Sequence, residues 1–291
     1  MNSVEKQEGI ELNKQLKIGL VIGISAVLAV SIIVIPSFLP VADQIASVDY
    51  VQITVLVDNH SNGTLLSPWG LSILVETNDL TILFDSGPDP STLENNSESL
   101  EANLESVCDF VVVSHDHQDH TNGLTYVSAN HENLTLYTPY FGSTRSWTSD
   151  FFQVEVEDTA ELSSGISIIG RGEGVLDYNE QALVINVENL GLVIIVGCSH
   201  PGIENIVSKA IDDMNVDDVY MVLGGFHLHN ENQETISGTI DALVDMGVEH
   251  IYPIHCSGYD TTDYLESTYP TIYGEAAVGF QIALNGTASA P

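Results

Sequence analysis

Positive charge is what this chain has least of. Its 291 residues hold 6 Lys+Arg against 41 Asp+Glu, a formal net charge of −35. Binding along a phosphate backbone needs clustered Lys and Arg, so nucleic acid is not an expected partner. Cysteine is scarce too: three residues cannot build a disulfide framework for a chain of this length. No Pro/Gly/Ser-rich linker interrupts the sequence after residue 48, so one domain is the economical organisation. Hydrophobic residues are not scarce, at 44%. They exclude a disordered chain, which needs low hydrophobicity together with high charge. The length fits one domain of roughly 240 residues, or two small ones, plus an appendage.

A further absence is local. From Ile18 to Pro40 there is no charged residue, and the run IGLVIGISAVLAVSIIVI is long enough to cross a hydrocarbon core of ~30 Å as a helix. Lys6, Lys14 and Lys17 precede it, and Asp43 and an acidic stretch follow. The positive-inside bias then makes residues 1–17 a cytoplasmic tail, 18–40 a transmembrane helix or signal anchor, 41–48 a linker and 49–291 an extracytoplasmic domain. A buried core helix would normally carry a polar stripe. Cleavage as a signal peptide, giving a secreted domain, is the closer alternative, although the run is long and no clean A-x-A site follows. Sequons at Asn62, Asn95, Asn133 and Asn285 are compatible with an outside location.

The charge excess lies beyond the apolar run. From residue 49 on, 37 acids face three bases, Arg145, Arg171 and Lys209. Self-repulsion of this size destabilises a compact fold at low ionic strength. It is tolerable where salt screens it, the Debye length being about 3 Å at 1 M. A salt-loving host, such as a halophilic archaeon, is the simplest reading; an acidic exported protein of an ordinary marine microbe is the alternative.

Strand-like and helix-like segments follow in order. Val48–Val57 reads as a strand. Gly70–Thr77 and Leu80–Phe84 read as a hairpin. Thr92–Val107 reads as a helix, with Leu93, Leu100, Leu104 and Val107 on one face and Glu94, Glu98, Glu101 and Glu105 on another. Phe110–Ser114 is wholly apolar up to its last residue, as in a strand buried on both faces. Ala182–Val187 and Leu192–Val196 form a second hairpin. Ile203–Met214 and Glu234–Met246 read as helices, and Tyr220–Leu223 and Glu249–Pro253 as strands. Hairpins followed by helices, twice over, indicate an α+β sandwich of two halves.

The segment with chemical content is Ser114-His115-Asp116-His117-Gln118-Asp119-His120-Thr121, directly after the buried strand. Imidazoles and a carboxylate are good ligands for zinc and similar divalent ions. In an extended loop His115 and His117 point the same way and can share one metal. Asp119 and His120, one turn further on, can face a second. An ion held here would activate water for hydrolysis.

H-x-H-x-D-H after a buried strand resembles the signature of the metallo-β-lactamase fold. Other marks fall in the family's order: Phe84-Asp85-Ser86-Gly87, Gly197-Cys198-Ser199-His200-Pro201-Gly202, and Tyr252-Pro253-Ile254-His255-Cys256. Together with Val57-Asp58-Asn59, Gly70-Leu71-Ser72, Gly224-Gly225-Phe226-His227-Leu228 and His255-Cys256-Ser257-Gly258, they resemble the branch named for 7,8-dihydropterin-6-methyl-4-(β-D-ribofuranosyl)aminobenzene-5′-phosphate synthase. The resemblance covers about residues 49–283 and implies an αββα sandwich. It implies His115, His117 and His200 at one metal and Asp119, His120 and His255 at another. The ions would be one or two zinc, with iron or manganese as alternatives. Asp85 would orient the metal loop, and Asp119 would orient the attacking hydroxide. The implied activity is hydrolysis of an ester, lactone, lactam or phosphodiester in a small-molecule substrate. The alternatives are a dihydropterin-type synthase or a non-catalytic, membrane-tethered metal-binding module. The wider family's metal-bridging carboxylate should follow Leu192–Val196, where Gly197-Cys198 stands instead. The bridge is then missing, or supplied by Cys198 or by water.

Other residues carry a role and a plainer alternative. His227, at a strand end, is a candidate for a substrate-side catalytic role or for loop packing. His229 reads as a solvated loop residue, and His60, His131 and His250 as structural or surface residues. Cys198 and Cys256 flank expected ligands and are open to supporting or redox roles. Cys108 reads as a small buried hydrophobe. Arg145, near Tyr140, Phe141 and Trp147, is a candidate to hold a substrate anion or to make a surface ion pair.

Overall fold

The structure is a computed structural model that describes residues 45–286 except 62, 103, 105–107, 144 and 173–178. The expected transmembrane segment, residues 18–40, lies outside the described residues. Among the described residues no helix is long and apolar enough to cross a membrane.

Two sheets form the centre. The first holds β1 (Tyr50–Val57), β2 (Ser72–Thr77), β3 (Thr81–Phe84), β4 (Phe110–Val112), β5 (Thr135–Pro139), β6 (Phe152–Val156) and the late strand β13 (Gln281–Asn285), in the order β13-β1-β2-β3-β4-β5-β6. The second holds β7 (Ala160–Ser163), β8 (Ile166–Ile169), β9 (Ala182–Val187), β10 (Gly191–Val196), β11 (Val219–Gly224) and β12 (His250–Pro253), in the order β12-β11-β10-β9-β8-β7. In each sheet an antiparallel half adjoins a parallel half: β3 to β6 run parallel in the first, β10 to β12 in the second.

The apolar runs explain the layering. Every residue of β9 (ALVINV) and β10 (GLVIIV) is buried. Because side chains alternate across a strand, Leu183, Ile185, Val193 and Ile195 enter the core between the sheets. Ala182, Val184, Leu192, Ile194 and Val196 enter a second core on the opposite face. There they meet Ile203, Ile206, Val207 and Ala210 of helix α4 (Ile203–Met214), the i, i+3, i+4, i+7 stripe of an amphipathic helix. Ile236, Ile240 and Leu243 of α5 (Gln233–Asp245) complete that layer. The outer face of the first sheet packs Leu56, Leu74, Leu83 and Leu136 against Leu93 of α1 (Pro90–Ser99) and Leu124 and Val127 of α3 (Leu124–Asn130). Four layers result, in the order αββα. The short helix α2 (Gln118–Thr121) carries part of the histidine motif, and α6 (Tyr259–Thr268) follows the last one.

One helix differs from the sequence reading. The pattern runs a helix from Thr92 to Val107, but α1 starts at Pro90, with Asp89 accepting from Thr92 N as its cap, and ends at Ser99. Glu101 then takes a left-handed φ of 56°. Leu100 and Leu104 continue the apolar spacing past the stop, which is why periodicity alone overruns it. The glutamate stripe is shortened as a result: Glu94 and Glu98 share the helix, and Glu101 lies beyond it.

Candidate metal centre

The expected ligands sit where parallel strands end. His115 and His117 follow β4, His200 follows β10, His227 follows β11 and His255 follows β12. Ligand sites in sheets of this kind lie beyond the carboxyl ends of the strands. Four residues here have left-handed backbones: Asp85 (φ 56°), Ser199 (61°), His227 (55°) and His255 (52°). Among the described residues, four of the other five positive-φ residues outside glycine are Asn, which tolerates this region, with Glu101 the fifth. Asp and His also visit this region more than most residues do, so the conformation is most unusual at Ser199. Such strain collects where surrounding contacts impose it for a function. Glycines allow the loops to close on one another. A Cβ at Gly197 would lie 2.1 Å from Ser114 Oγ, and one at Gly225 2.5 Å from Gly197 O.

Two ligand groups result. The ligand atoms of His115, His117 and His200 lie within 4.8 Å of one another, and so do those of Asp119, His120 and His255. His115 Nε2 and His117 Nδ1 are 2.9 Å apart. Asp119 Oδ2 is 3.7 Å from His120 Nε2 and 3.5 Å from His255 Nε2. Cys198 also groups with His115 and His120, its Sγ 3.3 Å from His120 Nε2. Its thiol therefore sits between the two groups, where the wider family's carboxylate was sought.

The ligands are held from behind, and each support selects one ring nitrogen. Buried Asp85 accepts from Ser114 N and Ser114 Oγ, both at 2.7 Å, and lies 2.7 Å from His120 Nδ1. Ser114 Oγ is in turn 2.9 Å from His115 Nδ1. These contacts make Nε2 the ligand atom of His120 and His115. Asn59 Oδ1 is 3.0 Å from His255 Nδ1, and Asp58 Oδ1 accepts from His255 N at 2.8 Å. Asp58 and Asn59 stood in the sequence only as family marks without a role.

Glu180 was missed altogether. It is buried, and its Oε1 accepts from Cys198 N and Ser199 N at 2.8 and 2.7 Å. Its Oε2 accepts from His200 N at 2.8 Å and lies 2.8 Å from His200 Nδ1. One carboxylate thus holds the whole turn that presents Cys198 and His200. No local pattern announces it, since its partners are backbone groups some twenty residues away.

The remaining candidates have plainer places. The exposed His227 ring packs on His200 at 4.4 Å between centroids, and Cys198, His200 and His227 form a further close group. His229 is exposed beside Trp69, with ring centroids 5.6 Å apart. His60 Nδ1 is 3.0 Å from Tyr259 Oη, His131 contacts Leu104 O, and His250 packs on Tyr220. Arg145 pairs with Asp116.

The electrostatics favour a cation. Burial lowers His115 and His120 to about 3, so both imidazoles are neutral at ordinary pH and keep a lone pair. Burial opposes the charged form of Glu180, but His115 and the hydrogen bond from His200 bring it down to about 2. Asp119 is likewise lowered against its burial by His255 and His120. Glu180 and Asp119 therefore stay ionised beside neutral His115 and His120, whereas burial raises the Asp85 carboxyl to about 7. Among the described residues, buried His255 Nε2 has no hydrogen-bond partner, its nearest acceptor being Asp119 Oδ2 at 3.5 Å. An orphaned nitrogen beside an ionised carboxylate and two converging histidine groups fits divalent metal.

The fold and this histidine–aspartate constellation define a metallo-β-lactamase sandwich. The β-lactamase superfamily domain matches residues 81–167. The chain is 30% identical over 266 residues to a protein of Methanocaldococcus jannaschii named 7,8-dihydropterin-6-methyl-4-(β-D-ribofuranosyl)-aminobenzene-5′-phosphate synthase, covering 74% of this chain and 90% of that one. A solved metal-dependent hydrolase of the β-lactamase superfamily superposes with a TM-score of 0.69 at 25% identity, covering 81% of this chain and 99% of its own. The metallo-β-lactamase fold protein YhfI of Bacillus subtilis gives 0.57 at 11% identity, over 81% of this chain and all of that one. The chain belongs to the β-lactamase superfamily, in its metallo-β-lactamase fold.

Proposed function

We propose that this chain is a metal-dependent hydrolase of a small-molecule ester, lactone, lactam or phosphodiester. The observation that carries the reading is the convergence of His115, His117 and His200 with Asp119, His120 and His255 around Cys198. These residues would hold one or two divalent ions, zinc first by the His/Asp/Cys donor set. When bound, such ions supply Lewis acidity and make water acidic enough to ionise near neutral pH. Asp119, held ionised, orients the attacking water through its carboxylate. His227, exposed beside His200, would hand a proton to the leaving group. Asp85 and Glu180 keep the imidazoles in one orientation. The test is a panel of esters, lactones, lactams and phosphodiesters with the zinc-loaded chain. Turnover of at least one class is expected, together with its loss in His115→Ala/His117→Ala. That variant should also lose at least one metal equivalent by elemental analysis. Absence of turnover across the panel, or unchanged metal content in the variant, refutes the reading.

A second reading is a synthase of the dihydropterin type, favoured by the likeness to the archaeal relative over 90% of that protein. It predicts formation of a pterin–aminobenzene conjugate, detectable by mass, in place of hydrolysis.

The apolar run from Ile18 to Pro40, with Lys6, Lys14 and Lys17 before it, supports a single-pass tether with the domain outside. Protease added to intact cells should then reach the domain. Full protection until the membrane is opened would overturn the tether.

A further inference from the structure

Cys256 has no part in the two ligand groups of the histidine–aspartate centre, yet it lies against them. It follows β12 and Cys198 follows β10, so their loops meet across the end of β11, the strand between. The two sulfurs and a ring nitrogen of His255 lie within 4.8 Å of one another. All three residues are closed off from solvent, Cys198 being 4%, Cys256 3% and His255 1% exposed. Asn59 Oδ1 occupies the Nδ1 side of His255, which leaves Nε2 as the nitrogen free to ligate. That nitrogen is buried and, among the described residues, has no hydrogen-bond partner.

The backbone makes room for Cys256 and supports it. A Cβ at Gly225 would lie 2.5 Å from its Sγ, so only glycine leaves space for the sulfur there. His227 N donates to the same Sγ at 3.3 Å, a bond that a thiolate accepts more strongly than a thiol. Neither sulfur is committed to a disulfide. Two thiols and an imidazole form a soft donor set, and among the described residues no fourth His, Cys, Asp or Glu joins it. Zinc in a closed protein site takes four ligands. Copper(I) is selected by soft sulfur donors and is satisfied with three ligands. The set also borrows from the neighbouring groups: Cys198 is shared with His115 and His120, and His255 with Asp119 and His120.

We propose that Cys198, Cys256 and His255 form a copper(I) site that overlaps the histidine–aspartate centre, so that copper(I) and the hydrolytic ion exclude one another. Binding releases the thiol protons to solvent and needs no change of oxidation state, since the ion arrives as copper(I). The probe is copper(I) held by bathocuproine disulfonate under ascorbate without oxygen, with the metal-stripped full chain as competitor. The wild type should withdraw one copper equivalent, read as loss of the chelate colour. Cys256→Ala should weaken that competition about tenfold or more, since loss of a ligand costs no less than loss of the residue behind one. Cys108→Ala, which removes the one cysteine outside the set, should compete as the wild type does. The copper-loaded wild type should then take up at least one zinc equivalent fewer than the metal-stripped chain. If Cys256→Ala does not fold by circular dichroism, copper X-ray absorption of the wild type decides: two sulfurs and one nitrogen at bonding distance are expected, and one sulfur or none overturns the site. Equal competition by folded Cys256→Ala, no capture by the wild type, or undiminished zinc uptake after copper loading also overturns the proposal. Copper capture by a chain whose zinc form turns over no panel member keeps this site and removes the hydrolase.

Discussion

Cys198 stands where a carboxylate was expected, its Sγ grouped with His115 of one ligand set and His120 of the other. If metal binding ionises this thiol, it would be a softer donor than a carboxylate and would favour zinc and other thiophilic ions. Cobalt substituted for the native metal should show near-ultraviolet thiolate-to-cobalt absorption. Cys198→Ala should abolish that band, and Cys198→Asp should restore metal content without it. A band that persists in Cys198→Ala would transfer the ligand role to Cys256, whose thiol groups with Cys198 and His255. Cys108 offers a contrast outside the site. Burial pushes its thiol from 9.0 up to about 12. The folded chain therefore favours the neutral thiol, and this contribution to stability is present below pH ~9 and lost as pH rises toward about 12. At pH 8 a thiol reagent should modify Cys108 only as fast as the chain opens, and at the rate of free cysteine in denaturant. Equally fast modification of native protein would show that the thiol is not buried.

Among the elements, those with a clean period and a stop were legible. Ile203–Met214 combines an amphipathic stripe with Asn215 in the left-handed cap position, at φ 51°. Strands β9 and β10 read correctly because their apolar runs are short and separated by a turn. The α1 helix was overrun because Leu100 and Leu104 keep the helical spacing past its end at Ser99; residues 105–107 of the expected helix lie outside the described residues. The ligand cluster was legible for the opposite reason: four donors within six residues have no structural use. Glu180 and the role of Asp58 were not, since each acts on residues brought in from another part of the chain. At this scale two substitutions should rank clearly. In α5, Asn232 accepts from Glu234 N and Thr235 N at 3.0 and 3.1 Å, so Asn232→Ala should cost about 1 kcal/mol. Ile240 is fully buried in the core beneath that helix, so Ile240→Ala should cost about 2–5 kcal/mol. Chemical denaturation with unchanged slope would measure both. A reversed order would mean that this helical layer packs loosely.

For the whole molecule, the balance is between a large apolar core and self-repulsion. Beyond residue 48 the chain is formally −34, and Arg145, Arg171 and Lys209 already pair with Asp116, Glu157 and Asp213. The remaining acids repel one another. Glu94 and Glu98 stand one turn apart on α1, and each pair of this kind costs roughly 0.2–0.5 kcal/mol on an isolated helix. Longer-range repulsion adds to such pairs. A domain's net stability is only about 5–15 kcal/mol, so many small repulsions consume a large part of it. Salt screens them, and divalent metal at the histidine centre offsets charge locally. The melting temperature should therefore rise clearly between about 0.05 M and 2 M KCl, most steeply where the Debye length falls from over 10 Å to a few Å. Chloride is the right salt, because sulfate would also strengthen apolar burial and raise the melting temperature by a second route. With metal held saturating throughout, a melting temperature flat across the chloride series would show that the acidity is not an adaptation to salt.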